Sequence, residues 1–242
     1  KMKSSPKVSI VIPAYNEEKW IDQTLFSLLE SEQKTHIDYE VILVNNNCTD
    51  KTVQLAQKYN NGINLRIVNE HKQSRGAARA KGFKEARGEI ILSADADTNF
   101  YRGWIETLVS EMKDEIVAVT TSCKITDCSF LTNSLFNFIQ PILMFLYRVV
   151  VGHYWLSGFS FGIFKSVYEQ AGGFNTNLQV QEDTELSFRV VKLGKIKFIN
   201  KPVIFSGRRF RNGLLIALYD YIKTFTQVVI LKKRNVYLDN PR

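Results

Sequence analysis

This chain of 242 residues is 45% hydrophobic and 23% charged, which excludes an intrinsically disordered protein and predicts one globular domain with at most an appendage. Its three cysteines include no Cys-x-x-Cys pair, so we exclude a disulfide framework and a sulfur-based zinc site and expect a reducing compartment. A net charge of +8 predicts an anionic partner, which is a nucleic acid, a phosphorylated substrate or an acidic membrane.

Strand-like and helix-like patterns alternate through the first half of the chain. Short apolar runs at residues 8–12, 40–44, 65–69 and 89–93 predict strands, and helical spacing at residues 17–31, 50–59 and 76–86 predicts helices between them. Thr49 or Asp50 is expected to cap the second helix. The alternation predicts an α/β fold with a mostly parallel central sheet and helices on both faces.

The second half does not keep this alternation. Its patterns predict a strand at residues 116–123, a helix at Phe130–Val151, a strand with a turn at residues 155–164, a helix at 181–193 and a strand at 197–205. Pro202 predicts an edge position for the last strand, because proline has no N–H to donate to a neighbouring strand.

Two apolar segments approach the length that spans a bilayer, at residues 128–147 and 213–231. The first carries Asn133, Asn137 and Gln140 at helical spacing, which favours an amphipathic helix over a uniformly apolar span. We expect no secretory signal, because the apolar run at residues 8–12 ends at Pro13.

Polar loops follow the predicted strands where open sheets of this kind bind ligands, beyond the carboxyl ends of the strands. In one of them, Asp95-Ala96-Asp97 places two carboxylates one residue apart. Such a pair suits Mg²⁺ or Mn²⁺, which prefer oxygen ligands, although two solvated aspartates would show the same pattern.

Three acids lie within residues 181–185, at the predicted start of a helix. One interpretation is a general base that takes a proton from an attacking hydroxyl, which requires an ionised carboxylate near the electrophile. The other is ordinary helix chemistry, since carboxylates in the first turn are favoured by the helix dipole.

Basic residues form two further candidate sites. Arg75 and Arg79 flank small residues at a helix start, which suits a diphosphate, although the alanines also suit close packing on a sheet. Lys201, Arg208, Arg209, Arg211 and the cluster at residues 232–234 flank the C-terminal apolar segment, as expected of a helix on an anionic membrane or of a docked helix with a solvated basic end. We expect no nucleic-acid partner, because no recognised motif is present.

In order and spacing, these pieces resemble the family 2 glycosyltransferases, nucleotide-sugar enzymes with the GT-A fold. The matching segments are residues 8–17, 45–52, 75–79, 86–91, 95–97, 171–174 and 182–186, and the resemblance covers about residues 7–205. It implies one GT-A domain at residues 1–205, with a Rossmann-like nucleotide-binding half at 7–100 and an acceptor half at 101–205. Residues 206–242 are then a basic-flanked, amphipathic appendage.

The resemblance also implies a role for each matching residue. Donor binding falls to Pro13, Ala14, Tyr15, Glu17, Asn46, Arg75, Asp95 and Ala96, metal binding to Asp97 and Asp95, and the general base to Asp183. The acceptor or phosphate side comprises Trp155, Gly158, Glu182, Arg189, Arg208 and Arg209. The implied cofactor is Mn²⁺ or Mg²⁺, and the implied reaction is an inverting single displacement from a UDP- or GDP-type sugar.

Two departures from the family pattern leave finer points open. Asn45 and Asn46 stand where the family commonly has two aspartates, which leaves the donor base open. Arg208 and Arg209 lie near the position where some relatives carry a metal-binding histidine, which leaves the metal requirement open.

The expected acceptor is a glycan or a lipid-linked molecule, and the expected location is the cytoplasm or the cytoplasmic face of a membrane, with peripheral contact. Two alternatives are a nucleotide-sugar nucleotidyltransferase and a catalytically silent nucleotide-sugar-binding module. The first would require a glycine-rich, lysine-bearing loop after the first strand.

Overall fold

Eight strands form one sheet in the computed structural model, which describes residues 6–211 and 213–233. The strands are β1 (Val8–Ala14), β2 (Tyr39–Asn45), β3 (Leu65–Asn69), β4 (Ile90–Ala94), β5 (Thr98–Asn99), β6 (Ile116–Lys124), β7 (Ser160–Phe164) and β8 (Lys195–Phe205). Across the sheet the order of these described strands is β3-β2-β1-β4-β7-β6-β8-β5.

The first four strands run parallel, as the alternating sequence pattern predicts. β1 pairs with β2 and β4, and β2 pairs with β3. Helical connections return the chain to the same end of the sheet each time, which parallel pairing requires. β7 is antiparallel to its neighbours β4 and β6, whereas β6 and β8 are parallel. The predicted mostly parallel sheet is confirmed.

The described α-helices are α1 (Ile21–Ser31), α2 (Thr52–Gln57), α3 (Arg75–Glu85), α4 (Trp104–Ser110), α5 (Phe130–Val151), α6 (Lys165–Gln170), α7 (Glu182–Val190) and α8 (Leu214–Phe225). A 3₁₀ turn at Gly207–Phe210 and a π-helical segment at Thr226–Ile230 flank α8.

The first helix begins later than predicted, at Ile21 rather than at residue 17. The backbone N–H groups of Glu17 and Glu18 donate instead to Thr52 Oγ1 and Asp50 Oδ2, so the segment before α1 is tied to the loop after β2. The predicted cap of the next helix, Thr49 or Asp50, is wrong by one or two positions, because α2 begins at Thr52 with Lys51 in the cap position, although Asp50 Oδ1 accepts from the Thr52 N–H.

Alternating side chains of the strands face two hydrophobic cores. Ile10 and Ile12 of β1 face the core that packs α1, α2 and α4, and Val11 faces the core that packs α3, α6 and α7. α3 lies very close to the sheet, because a Cβ added at Gly82 would come within 2.3 Å of Val11 Cγ1. This close packing brings the first turn of α3 to the carboxyl end of β1.

The edge position predicted from Pro202 holds for most of β8. Among the described strands, only the short β5 pairs with its outer side, at Ile204 and Phe205. The pairing with β6 shifts register between Ile199 and Val203, and Pro202 lies inside that irregular stretch. The missing N–H of proline therefore costs no ladder hydrogen bond.

The long helix α5 turns its polar residues toward the protein and its apolar residues outward. The Asn137 side chain binds both the N–H and the carbonyl of Ile125, and Gln140 Oε1 accepts from the Cys123 N–H. Phe130 is 87% exposed. Of the described helices, α5 alone has the length and hydropathy to cross a membrane, and 11% of its most apolar stretch is buried.

Candidate active site

A cavity of about 530 Å³ opens at the carboxyl ends of the parallel strands, a size typical of small-ligand sites. It is lined by Pro13, Ala14, Tyr15, Glu17, Asn46, Gln73, Ser74, Arg75, Ala78, Arg79, Asp95, Gln179 and Val180. The fold thus brings seven of the eight predicted donor-binding residues together. The eighth, Ala96, is buried beside it, and its carbonyl accepts from Thr24 Oγ1.

Asn46 holds the cavity wall together through its side-chain amide. Its Nδ2 donates to the carbonyls of Glu70 and Lys72, each at 2.8 Å, and its Oδ1 accepts from the Ser74 N–H. An aspartate could not donate to these two carbonyls. The amide expected to face a base is therefore already engaged with the protein backbone.

Arg79 lines the cavity as a buried side chain that pairs with carboxylates of the protein, and its contact with a diphosphate stays a prediction. Its Nη2 binds Asp95 Oδ1 at 2.6 Å, and its Nε binds Glu182 Oε1 at 3.0 Å. Its Nη1 donates to Ser93 Oγ and to the Gly158 carbonyl. Burial works against the charged form, but Asp95 and Glu182 outweigh it and raise the pKa of Arg79.

Asp183 is the second residue of α7, whose cap residue Gln181 has a left-handed backbone with φ of 59°. Its Oδ2 accepts from the Gly158 N–H and its Oδ1 from the Thr184 N–H, both at 2.7 Å. Burial and the nearby Glu182 raise the pKa of Asp183 to about 6, although Arg79 and the two N–H donors oppose the rise. Such a carboxylate is ionised at neutral pH and is still basic enough to accept a proton.

Gly158 fits between Arg79 and Asp183, where no other residue has room. A Cβ at this position would lie 2.3 Å from Arg79 Nη2 and 2.9 Å from Asp183 Oδ2. The predicted acceptor-side glycine therefore allows the backbone to approach both charged groups.

The start of α7 is also joined to the C-terminal helix. Gln181 Nε2 donates to Thr224 Oγ1 of α8 at 3.2 Å. Next to this hydrogen bond, Val228 of the π-helical segment packs in a small buried cluster with Leu178 and Val180.

Asp97, two residues beyond Asp95, is paired with Arg208. Arg208 Nη2 is 2.9 Å from Asp97 Oδ2, and the same guanidinium binds both carboxylate oxygens of Glu17. The Asp97 side chain is buried, and neither of its oxygens accepts a hydrogen bond of good geometry. Buried carboxylate oxygens without hydrogen-bond donors fit a hard divalent cation, so the residues present suit the implied Mg²⁺ or Mn²⁺. No cluster of three or more His, Cys, Asp or Glu side chains with metal-binding geometry occurs in the described part of the chain.

Of the predicted acceptor-side residues, Arg189 has partners outside this cluster, whereas Trp155 packs on Tyr147, whose pKa is raised by burial and by the charge of Asp183. Arg189 binds Glu185 and the carbonyl of Ala171, because the six positions that separate it from Asp183 turn it to another face of α7. Trp155 packs edge-on against Tyr147 of α5, with ring centroids 4.7 Å apart. Arg209 is half-buried in the same 3₁₀ turn as Arg208.

Sequence reasoning missed several residues of the site. Gln73, Ser74, Gln179 and Val180 line the cavity, and Ser93 binds Arg79 from inside a strand. The polar Ser93 in an otherwise apolar strand is the one local signal that would have indicated a buried hydrogen-bond partner.

The profile of the family described as glycosyl transferase family 2 matches residues 9–171. The probable glycosyltransferase YdaM of Bacillus subtilis is 29% identical over 205 residues, covering 80% of this chain and 48% of YdaM. The poly(ribitol-phosphate) β-N-acetylglucosaminyltransferase TarS of Staphylococcus aureus is 36% identical over 94 residues, covering 38% of this chain and 16% of TarS. This chain thus spans less than half the length of both relatives.

Solved structures share the fold. TarS residues 1–349 in complex with UDP-GlcNAc superpose with a TM-score of 0.65 and 20% identity, covering 84% of this chain and 59% of that one. The mannosyltransferase PcManGT of Pyrobaculum calidifontis, in complex with GDP-Man and Mn²⁺, gives a TM-score of 0.66 at 19% identity, covering 91% and 65%. The family profile spans most of the predicted domain and these neighbours confirm its GT-A architecture, so the chain belongs to glycosyl transferase family 2.

Proposed function

We propose that this chain is an inverting glycosyltransferase that moves a sugar from a UDP- or GDP-type donor to a hydroxyl or phosphate of its acceptor. The observation that carries the proposal is the pairing of Asp183 with the donor cavity. Arg79 binds both Asp95, which lines the cavity, and the carbonyl of Gly158, whose N–H in turn binds Asp183. TarS and PcManGT, which share the fold, were solved with UDP-GlcNAc and GDP-Man, and this supports a nucleotide sugar as the donor class.

Asp183 is the general base of the proposed reaction. It takes the proton of the acceptor hydroxyl while that oxygen attacks the anomeric carbon, and the nucleoside diphosphate departs from the opposite face. The hydrogen bonds from Gly158 and Thr184 fix its orientation but leave part of the side chain open to solvent. One displacement inverts the anomeric configuration, and no covalent intermediate is required.

Asp97, with Asp95, would hold the divalent cation. When bound, Mg²⁺ or Mn²⁺ neutralises negative charge on the departing diphosphate. Glu17 and Arg75 line the same cavity, together with Pro13, Ala14 and Tyr15 at the end of β1.

We also propose that the protein contacts an anionic membrane through α5 and α8. Both helices turn large apolar side chains outward, among them Phe138 and Leu215, which are 70% and 80% exposed. Exposed Arg211, Lys232 and Lys233 flank α8, and basic residues beside an apolar face suit anionic lipid headgroups. Arg234, the last of the predicted basic cluster, lies outside the described residues. A lipid-linked or glycan acceptor at the cytoplasmic face fits this surface.

The enzymatic proposal is tested with a panel of UDP- and GDP-sugars, with Mn²⁺ or EDTA, on the wild type and on Asp183→Asn and Asp97→Ala. We expect the wild type to turn over at least one donor. The turnover rate should fall by ~10²-fold or more in Asp183→Asn and should also fall in Asp97→Ala. Glu185→Gln is the matched control, because Glu185 is in the same acidic turn but binds Arg189.

Wild-type turnover in Asp183→Asn would contradict the assigned base. Formation of a nucleoside triphosphate from donor and pyrophosphate would instead indicate a nucleotidyltransferase, and donor binding without any turnover would indicate a silent module.

Membrane contact is tested by flotation with phosphatidylglycerol vesicles. We expect the wild type to float and Phe138→Glu to remain in solution, since a charge on the apolar face opposes insertion. Phe26→Glu is the control, because Phe26 is an exposed aromatic residue of α1, on a different part of the molecule. Equal flotation of all three proteins would reject α5 as the contact.

A further inference from the structure

Arg208 joins two carboxylates that lie far from it in the sequence. Its Nη1 and Nη2 bind Glu17 Oε2 and Oε1 at 2.8 and 2.7 Å, a bidentate pair, and its Nη2 also lies 2.9 Å from Asp97 Oδ2. One guanidinium thus neutralises a residue of the donor cavity and the carboxylate to which the cation is assigned.

The position of this guanidinium is the one a cation would need. The side chains of Glu17 and Asp97 are 4% and 1% exposed, so each carboxylate has lost most of its water. Two buried anions side by side repel each other unless positive charge lies between them. In the structure that charge belongs to Arg208.

The turn that carries Arg208 is held in place independently of these carboxylates. Asp127 accepts from the Gly207 N–H at 2.6 Å and from Ser206 Oγ at 3.0 Å, which fixes the backbone of the 3₁₀ turn. The Arg208 side chain itself is 21% exposed and extends from the turn on a long flexible stem. It can therefore change partner without unfolding the turn, and a diphosphate is a strong bidentate partner for arginine.

We propose that Arg208 is a latch on the cation site, an inference that rests on the proposed function. In the donor-free enzyme its guanidinium pairs with Asp97 and Glu17 and keeps a divalent cation out. The donor diphosphate draws Arg208 away from both carboxylates, and the cation then binds Asp97 together with the donor. Cation and nucleotide therefore bind cooperatively, and Asp97 has a positive partner in both states.

The latch is tested by Mn²⁺ binding to the full chain without nucleotide, measured by electron paramagnetic resonance of free Mn²⁺. We expect Arg208→Gln to bind Mn²⁺ at least ~10-fold more tightly than the wild type, because removing one positive charge a few ångströms away favours a cation by that much or more. Adding UDP or GDP should raise wild-type Mn²⁺ affinity by ~10-fold or more and that of Arg208→Gln by less.

Two variants make the result specific. Arg211→Gln removes the same charge from the same segment, but Arg211 is 59% exposed and 3.8 Å from Asp127, so its Mn²⁺ affinity should match the wild type. Arg208→Lys keeps the charge and should bind Mn²⁺ as weakly as the wild type. If Arg208→Gln does not fold, Arg208→Lys decides alone: a Mn²⁺ affinity equal to that of the wild type supports the latch, and tighter Mn²⁺ binding than the wild type overturns it.

Equal Mn²⁺ affinity of wild type and Arg208→Gln overturns the latch even if the enzyme transfers sugar normally. Conversely, tighter Mn²⁺ binding by Arg208→Gln supports the latch even if no donor in the panel is turned over, so the two proposals fail separately.

Discussion

Arg79 and Glu182, which are 103 positions apart in the chain, form a buried ion pair with Nε 3.0 Å from Oε1. The same arginine binds Asp95, so one side chain connects the donor cavity with the residue that precedes the proposed base. Because all three groups are shielded from water, their separation is set by the ion pairs themselves and changes little with salt.

Replacing Arg79 with Met should destabilise the protein strongly. The change leaves Asp95 and Glu182 without their positive partner, and breaking a buried ion pair costs ~3–5 kcal/mol. The measurement is the free energy of unfolding in urea. Lys195→Met is the control, since it removes an exposed pair with Glu115 that is worth less than ~1 kcal/mol. Similar losses in the two variants would contradict the buried network.

Sugar transfer should fall as the pH drops through about 6. Burial and then Glu182 raise the pKa of Asp183 to that value, and the base acts only when it is ionised. The measurement is kcat/KM as a function of pH. Glu182→Gln should move the acid limb to lower pH, because Glu182 raises the pKa of Asp183, whereas Glu185→Gln should leave the limb in place. A limb that Glu182→Gln does not move would argue against Asp183 as the titrating group.

Gly158→Ala should abolish most transfer activity while the chain still folds. The added methyl group would come within 2.3 Å of Arg79 Nη2 and 2.9 Å of Asp183 Oδ2, and small displacements of catalytic groups cost ~10²-fold in rate. Gly62→Ala is the matched control, because its Cβ would meet Leu29 at an ordinary 3.5 Å. Steady-state kinetics and circular dichroism on both variants decide the matter, and an active Gly158→Ala enzyme would show that the site tolerates the methyl group.

Glu32→Gln should stabilise the protein at pH 8 but not at pH 5. Burial raises the pKa of Glu32 from 4.5 to about 7, against the opposing hydrogen bond from the Ile105 N–H. The folded state therefore holds a proton that the unfolded state has released, and stability declines as pH rises between these two values. Glutamine stays neutral and avoids that decline.

The test of the Glu32 prediction is the difference in Tm between variant and wild type at the two pH values. Glu30→Gln, an exposed change in the last turn of α1 and two positions before Glu32, should show no such dependence. A Tm gain for Glu32→Gln that is the same at both pH values would mean that the proton on Glu32 does not control stability.

The sequence predicted the parallel half of the fold well because its signals are local. The run at residues 65–69 became β3 with the same bounds, and Phe130–Val151 became α5. Periodicity in a short window is enough for such elements. The two-residue β5 depends on its pairing with β8, and the late start of α1 depends on the hydrogen bond from Glu17 to Thr52. Both contacts join distant parts of the chain, so no local pattern could indicate them.

Site residues were predicted where a motif fixed their position relative to a strand end, as for Asp95 at the end of β4. Charge partners were not predictable in this way. Arg79 lies in an alanine-rich helix start whose sequence also suits an anion site. Its buried ion pair depends on Glu182 of α7, which is far away in the sequence. Arg208 meets Glu17 only because the 3₁₀ turn after β8 packs against the segment that follows β1, a contact between residues 191 positions apart.

The hydrogen bond between Gln181 and Thr224 has a consequence for acceptor choice. It joins α8 to Gln181, the cap residue of α7, two positions before Asp183. If α8 lies on a bilayer as proposed, the height of Asp183 above the lipid surface is set by the protein and cannot adjust to each acceptor. The enzyme would then select acceptors by the distance between the reactive group and its lipid anchor.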